Sequence, residues 1–567
     1  MSREWYVAAA AFVLLLFGCG RSDEPSRPPA QSARTVTPSQ TAQRSGAPPT
    51  TKFGAFSRDE LIADARQLAE ILESTHPDPY LNGGGRIAFH RRLHRVLNAI
   101  PEEGMTRDGF HRLLRPFIAG VGDAHTNFIS GYTVDHRRPG GVPLRFAVVE
   151  EFLVVSGVAQ PEQRDLLGAK LVSVEGVPLA DLVERQRQLR GIDNQYHGLQ
   201  ELAEKSLWFG PYMRDVIPEW KDTGHVRVEL ERPNGTITAV ELTQPERQPS
   251  WITPKSRVEL PVPGDSGFRF AFLKAPPSQP ALQKEIAYLR FTHMTGYRET
   301  REGRHPMRTK FTRPPSATDT FRSMVTEMKK RGTETLIADV RGNHGGDSLI
   351  MDILIYFLYG KETLLNMQGL GAGESGVFRY SPLYFAARPD ESLETINADR
   401  IVPLVEGDYE FSWSFVNGEP IAKRSKPLEE PLAYRYLRAS PTFGPEFESG
   451  TYGGYYHPKN VIVLCDAGTA SAGFSVVVGF QRVGAALVGT PSAQAPNSFG
   501  SATIWKLNHT GLQGTVPVIA AMHFPFEPEK AHVLAVDHPL TYERLASYDF
   551  DPNSEYLYAL ELIDAVR

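Results

Sequence analysis

One stretch, Asn460 to Thr490, reads NVIVLCDAGTASAGFSVVVGFQRVGAALVGT and constrains the fold more than any other. Val461 to Leu464 is an unbroken apolar run, the pattern of a strand covered on both faces. Asp466-Ala467-Gly468 interrupts it, and a small-residue helix starts through Ser471, Ala472 and Gly473. A second apolar run, Ala485 to Val488, follows. Strand, tight turn, helix and strand predict a layered α/β body. Ser471 falls at the strand-to-helix turn, where two readings are open. It is either the helix N-cap or a side chain presented beside the unpaired N–H groups of a helix start, a good place for a nucleophile.

The same layering appears upstream. Ile286 to Phe291 alternates as a strand, a helix is predicted over about 318–330, and Leu336 to Val340 is a further strand. It runs into Arg341-Gly342-Asn343-His344-Gly345-Gly346-Asp347, and a helix carries Leu349 to Leu358. Two glycine-bearing turns therefore follow buried strands. Acyl transfer needs a nucleophile, a base and two donors aimed at the developing oxyanion. Glycine permits close backbone approach, so Gly345 or Gly346 supplies one candidate donor and Ala472 the other. A plain strand–helix turn is the simpler reading of Gly345-Gly346.

The remainder divides by pattern. Residues 1–18 hold a short apolar run, Val7 to Phe17, behind Arg3, and read as a signal peptide. Leu16-Phe17-Gly18-Cys19 resembles a bacterial lipobox, which would lipidate Cys19. Residues 19–54, rich in Ser, Pro, Thr and Gln, then form a disordered tether. The expected location is the bacterial cell envelope, as a lipoprotein held to the membrane by its lipid. Residues 55–130 are a helical domain: Ser57-Arg58-Asp59-Glu60 is a capping box, and Leu61, Ala65, Leu68 and Leu72 repeat at helical spacing. It ends in Gly122-Asp123-Ala124-His125-Thr126, where His125 is a structural turn residue or a base. Residues 131–250 are β-rich, 251–284 read as a Pro-rich linker, and 285–567 as the catalytic α/β domain. An aromatic, proline-rich insertion, 361–458, interrupts the last of these and suits a lid or a partner surface.

Composition narrows the function. Lys and Arg number 61 against 66 Asp and Glu, a net charge of −5 without a long basic block, so no nucleic-acid partner is expected. There are two cysteines. With Cys19 lipidated, Cys465 stands alone inside an apolar strand, which excludes a disulfide scaffold and a multi-cysteine zinc site. His90 and His94 share a helix face, but no glutamate follows the first, so no metal and no cofactor is expected. His344 reads as a solvent-facing turn residue beside the glycines.

Taken together, these segments resemble the C-terminal processing (tail-specific) serine peptidases, a family that includes the tricorn-type proteases. Asp339-Val340-Arg341-Gly342-Asn343-His344-Gly345-Gly346 resembles that family's D-x-R-x-N-x-G-G segment, and Thr469-Ala470-Ser471-Ala472 its T-x-S-A nucleophile segment. Gly122 to Thr126 is similar to the G-D-x-H-T segment of its tricorn-like branch, and Gly168 to Leu179 to its PDZ-like module. The resemblance implies a multidomain α/β fold: a crotonase-like, ClpP-like core, an N-terminal helical domain and a PDZ-like module. It implies a peptidase cleaving a peptide or protein substrate through Ser471. The Ser-Lys branch carries a lysine in the loop corresponding to Pro491 to Gly500, and a glutamate three residues after its serine; this chain has no lysine there and has Phe474. A Ser-His arrangement with His125 as general base is therefore the expectation. The tricorn-like branch adds a glutamate near the C-terminal end, for which Glu527 and Glu529 are candidates; Asp123 is a candidate to orient His125. The alternatives are a non-catalytic protein binding peptides or hydrophobic ligands on the same fold, and an esterase-like hydrolase.

Overall fold

Burial in the core strands alternates residue by residue between two layers. Ala287, Leu289, Phe291, Leu336, Ala338, Val461, Val463, Cys465 and Leu487 belong to one buried cluster. Ile286, Tyr288, Ile337, Ile462, Leu464 and Val488 belong to another. A strand points successive side chains to opposite faces, so these runs form a sheet covered on both sides. The computed structural model describes residues 55–565 except 130–138, 264–266, 275–284, 297–298, 300–315, 371–374, 412–414, 417–418, 421–437, 439–443, 450–455 and positions 390, 399, 401 and 525–526. The expected signal peptide, Cys19 and the expected tether lie outside the described residues.

The first unit is three helices, α1 (Arg58–Thr75), α2 (Gly85–Ala99) and α3 (Arg107–Ala119). Ser57 and Glu60 form a reciprocal capping box at the start of α1, satisfying N–H groups that the helix leaves open. The second unit is an antiparallel sheet of β1 (Leu144–Val149), β2 (Phe152–Val158), β3 (Lys170–Val174), β4 (His225–Glu231) and β5 (Ile237–Thr243), paired in that order. Helix α4 (Leu179–Leu189) lies between β3 and β4 in the chain, and its Leu182 joins this unit's core.

The third unit holds the main sheet: β6 (Phe268–Leu273), β7 (Ile286–Phe291), β8 (Thr335–Asp339), β9 (Asn460–Cys465), β10 (Ala486–Gly489) and β11 (His538–Pro539), in that spatial order. Only β6 runs antiparallel to its neighbour. Helices α5 (Ala317–Arg331), α6 (Leu349–Leu370, broken at Gly360) and α7 (Ala472–Arg482) connect consecutive parallel strands. When strands follow in sequence with right-handed crossovers, the connecting helices fall on one face. All three helices do bury residues in a single cluster there. Helix α8 (Ser554–Ala565) covers the opposite face with Tyr556, Ala559, Leu560 and Ile563.

Two expectations need correction. Residues 251–284 are not simply a linker, because Phe268 to Leu273 is the edge strand β6, in register with β7 from Phe268↔Phe291 to Leu273↔Ile286. The prolines on either side obscured the alternation of Phe268, Phe270 and Phe272 with Arg269 and Ala271. The insertion 361–458 is partly woven into the body. Ser375–Arg379 pairs with Ile519–Met522, which pairs in turn with Asn497–Gly500, in a four-stranded sheet with Tyr409–Phe411 at its edge.

The helical unit is also tied in. Its core includes Trp505, Leu507, Leu512 and Val516, from a hairpin near the other end of the chain. Asp64 of α1, fully buried, accepts the N–H groups of His509 (3.0 Å) and Thr510 (2.8 Å) and the Thr510 hydroxyl (2.7 Å) at the hairpin turn. The short strand Asn127–Phe128 pairs with Gln513–Val516 of the same hairpin.

Candidate active site

The loops after β8 and β9 leave the same end of the sheet, where open α/β sheets place their ligand sites. They are stitched together by the Thr469 hydroxyl to the Val340 carbonyl (3.0 Å), Ala470 N–H to Asn343 O (2.9 Å) and Gly342 N–H to Asp466 Oδ1 (2.7 Å). Asp339 and Arg341 fix the base of the first loop. The buried Asp339 carboxylate accepts from Tyr288 Oη (2.6 Å), Arg290 (2.6 Å) and Arg341 (2.7 Å), while Arg341 also pairs with Glu555 of α8 at 2.6 Å. Burial alone would raise the Asp339 carboxyl; the two guanidinium groups and the Tyr288 hydrogen bond outweigh it and bring it down to about 2.

Ser471 stands immediately before α7 with φ 52° and ψ −128°, a conformation that non-glycine residues seldom adopt. Its side chain makes no capping hydrogen bond, so the N-cap reading fails at the level of contacts. Its N–H is held by Gln494 Oε1, and Gln494 is steadied in turn by Ser492 and Ser498. Gln494 lies within the lysine-free loop 491–500; nothing in the sequence singled it out, because an amide holding a backbone N–H has no motif.

The paired glycines abut this serine. A Cβ on Gly345 would lie 2.5 Å from Ser471 Cβ and 2.9 Å from Ala472 N, and Gly345 has φ 108°. A Cβ on Gly346 would lie 2.2 Å from the Met294 carbonyl. Met294 N–H bonds Gly345 O (2.9 Å) and Asp347 N–H bonds Met294 O (2.6 Å), which braces the glycine segment from β7's end. The Gly345 N–H is engaged by Asn343 Oδ1 at 2.9 Å. The N–H groups of Gly346 and Ala472 make no hydrogen bond among the described residues. His344 is more than half exposed, with Glu204 at 3.9 Å.

His125 reaches the catalytic body through the 127–128 strand and through the Thr515 hydroxyl, which donates to the His125 carbonyl at 2.7 Å. Its Nδ1 is buried without a hydrogen-bond partner, and no hydrogen bond joins its ring to Ser471 among the described residues. Asp123 does not bond that ring. Its carboxylate accepts the His125 N–H (2.7 Å), the Thr126 hydroxyl and His76 Nε2 (3.2 Å), so it shapes the turn. Burial pushes the Asp123 carboxyl up, but His76, His125 and Thr126 together hold it below the usual range. His76 was not anticipated: fully buried, it packs its ring on Phe499 at 4.3 Å.

Glu527 pairs with Lys530 next to a short exposed turn, and neither Glu527 nor Glu529 contacts His125 among the described residues. His90 is paired with Glu73 at 3.0 Å. Cys465 is buried, and burial pushes its thiol well up.

No protein of curated function matches this chain in sequence. Among solved structures, mature CPAF in complex with lactacystin is 14% identical with a TM-score of 0.52, over 90% of this chain and 98% of that one. The photosystem II D1 C-terminal processing protease is 14% identical over 86% of this chain and 95% of that one, with a TM-score of 0.38, too low to bear on the fold. The first likeness concerns fold. Residues 285–508 match the family model "Peptidase family S41". That match spans β7, the glycine loop and the Ser471 turn, and it marks the chain as a serine peptidase whose residues 285–508 are an S41 peptidase domain.

Proposed function

We propose that this peptidase cleaves peptide bonds through an acyl-enzyme on Ser471, with His125 as general base. The observation that carries the reading is the uncapped Ser471 side chain, set on a strained turn against Gly345 and beside the unbonded Ala472 N–H. A serine there does not cap its helix, and the donors beside it suit an oxyanion. His125 takes the hydroxyl proton as Ser471 attacks the scissile carbonyl. Gly346 and Ala472 hold the oxyanion, since the Gly345 N–H is engaged by Asn343. His125 then protonates the leaving amine, and water releases the acyl group. The ring-to-hydroxyl hydrogen bond forms when substrate closes the site, as such bonds commonly tighten only in the complex.

The antiparallel second unit is read as PDZ-like, binding an extended chain by strand addition, and the main sheet with its one-sided helices as a crotonase-like, ClpP-like core. Cys19 is read as the lipid attachment that holds the enzyme to the bacterial envelope. Among the described residues no helix is long and apolar enough to cross a membrane. Hydrolysis of labelled casein by the wild type, abolished in Ser471→Ala and His125→Ala, tests the chemistry; casein cleavage unaffected by either change would refute it. Metabolic labelling with palmitate, retained by wild type and lost in Cys19→Ser, tests the anchor; labelling that survives the change would refute it.

A further inference from the structure

His125 lacks an acid partner for its buried nitrogen, and a carboxylate from the second unit stands beside it. Asp193 lies between α4 and the helix Gln195–Glu201, and its Oδ1 accepts the N–H of Ala124, the residue before His125, at 2.8 Å. Its Oδ2 makes no hydrogen bond among the described residues. Asp123 already accepts three donors, none of them the His125 ring. We infer that Asp193 is the positioning carboxylate of the peptidase: when substrate closes the site, its unbonded Oδ2 receives the Nδ1–H of His125 and sets the other ring nitrogen toward Ser471. This deepens the Ser471–His125 reading and rests on it.

Three observations support the assignment. The segment is pressed onto the histidine turn, since a Cβ on Gly191 would fall 2.1 Å from the Asp123 carbonyl. The neighbouring Asn194 donates to Ser492 O and His532 O, both at 3.1 Å, and the Ser492 hydroxyl bonds the Thr469 carbonyl in the serine turn. Residues 193–194 thus touch both halves of the site. The charge around Asp193 is also under-compensated: burial pushes its carboxyl up, His197 and His125 pull it down, and Asp123 pushes it up again. A positive charge forming on His125 during proton transfer relieves that imbalance, which is the service an acid renders in a Ser-His-acid site. The titratable groups facing the pair are Asp123 and His76 from the first unit and His197, whose Nδ1 accepts the Asp193 N–H at 3.3 Å, from the second.

The test is the rate at which a fluorophosphonate labels the full-length protein across pH, for Asp193→Asn, Asp193→Glu, His125→Ala and the Asp193→Asn/His125→Ala double variant. Asparagine keeps an acceptor for Ala124 N–H; if that variant does not fold, Asp193→Ser, which also keeps one, takes its place. The expected result is a loss on the order of 10²- to 10⁴-fold in Asp193→Asn, the scale seen when the acid of such a triad is neutralised. With the negative charge gone the imidazolium is less stable, so the acid limb of the rate moves to lower pH. Asp193→Glu recovers part of the rate, and Asp193→Asn adds nothing in the His125→Ala background. Wild-type labelling in Asp193→Asn alongside slow labelling in His125→Ala overturns this inference and leaves the dyad standing. An unmoved acid limb, or equal losses with and without His125, assigns Asp193 a structural role and also overturns it. Wild-type labelling in His125→Ala overturns the dyad itself.

Discussion

Ser471 and Asp339 are opposite uses of a residue at the same end of the sheet. Ser471 carries backbone strain and makes no side-chain hydrogen bond to cap its helix; strain of this kind costs about 1–3 kcal/mol and persists where the surroundings impose it. Ser471→Ala is expected to remove casein hydrolysis, a drop on the order of 10⁶ in kcat by comparison with other nucleophile deletions, while the thermal midpoint stays within a few degrees. Asp339 is spent on structure. Asp339→Asn leaves Arg290 without its buried counter-charge and Arg341 with Glu555 alone, and is expected to cost about 3–5 kcal/mol in urea denaturation. The sign of its pH effect follows from a carboxyl held at about 2 in the fold. Its contribution is complete above the ordinary aspartate pKa of about 3.9 and is lost as pH falls from there toward about 2. Acid denaturation of wild type should therefore steepen in that window, and that of Asp339→Asn should not.

At the scale of elements, the glycine loop makes the sharpest forecast. Gly345→Ala places a methyl group 2.5 Å from Ser471 Cβ, so the loop must retreat from the serine. Casein hydrolysis should fall at least a hundredfold, about the worth of one oxyanion donor, with far-UV circular dichroism unchanged. The strands of the parallel sheet were legible because burial on both faces writes them as apolar runs: Val461 to Leu464 became β9 and Ala485 to Val488 became β10 with ends shifted by a residue. Strand β6 was missed because it alternates between flanking prolines. The pairing of 127–128 with 513–516 was missed because two short strands so far apart in the chain carry no common signal. The serine, the glycines and the histidine were readable as motifs. Gln494, His76 and Asp193 were not, since each acts through contacts that only the fold creates.

At the scale of the molecule, the proposed site draws on three units. On that reading the helical unit brings His125, the second unit brings Asp193 and Asn194, and the main sheet brings Ser471 and the glycines. The first and third share a core around Trp505, and Asp64 pins their joint through three hydrogen bonds. Asp64→Ala leaves those buried donors unmet, at about 1–3 kcal/mol each at most. It should lower the thermal midpoint and casein hydrolysis together, although Asp64 is remote from the chemistry in sequence. A variant that loses stability with undiminished kcat would show that the helical unit does not hold the base in place. The most direct measurement of the central claim is mass-spectrometric mapping of the fluorophosphonate adduct in wild type and His125→Ala. A nucleophile served by a base from another unit predicts the adduct on the peptide bearing Ser471 in wild type, and labelling at least a thousandfold slower in His125→Ala, in line with the loss of a catalytic base. An adduct on another residue, or equal labelling rates in the two proteins, would contradict it.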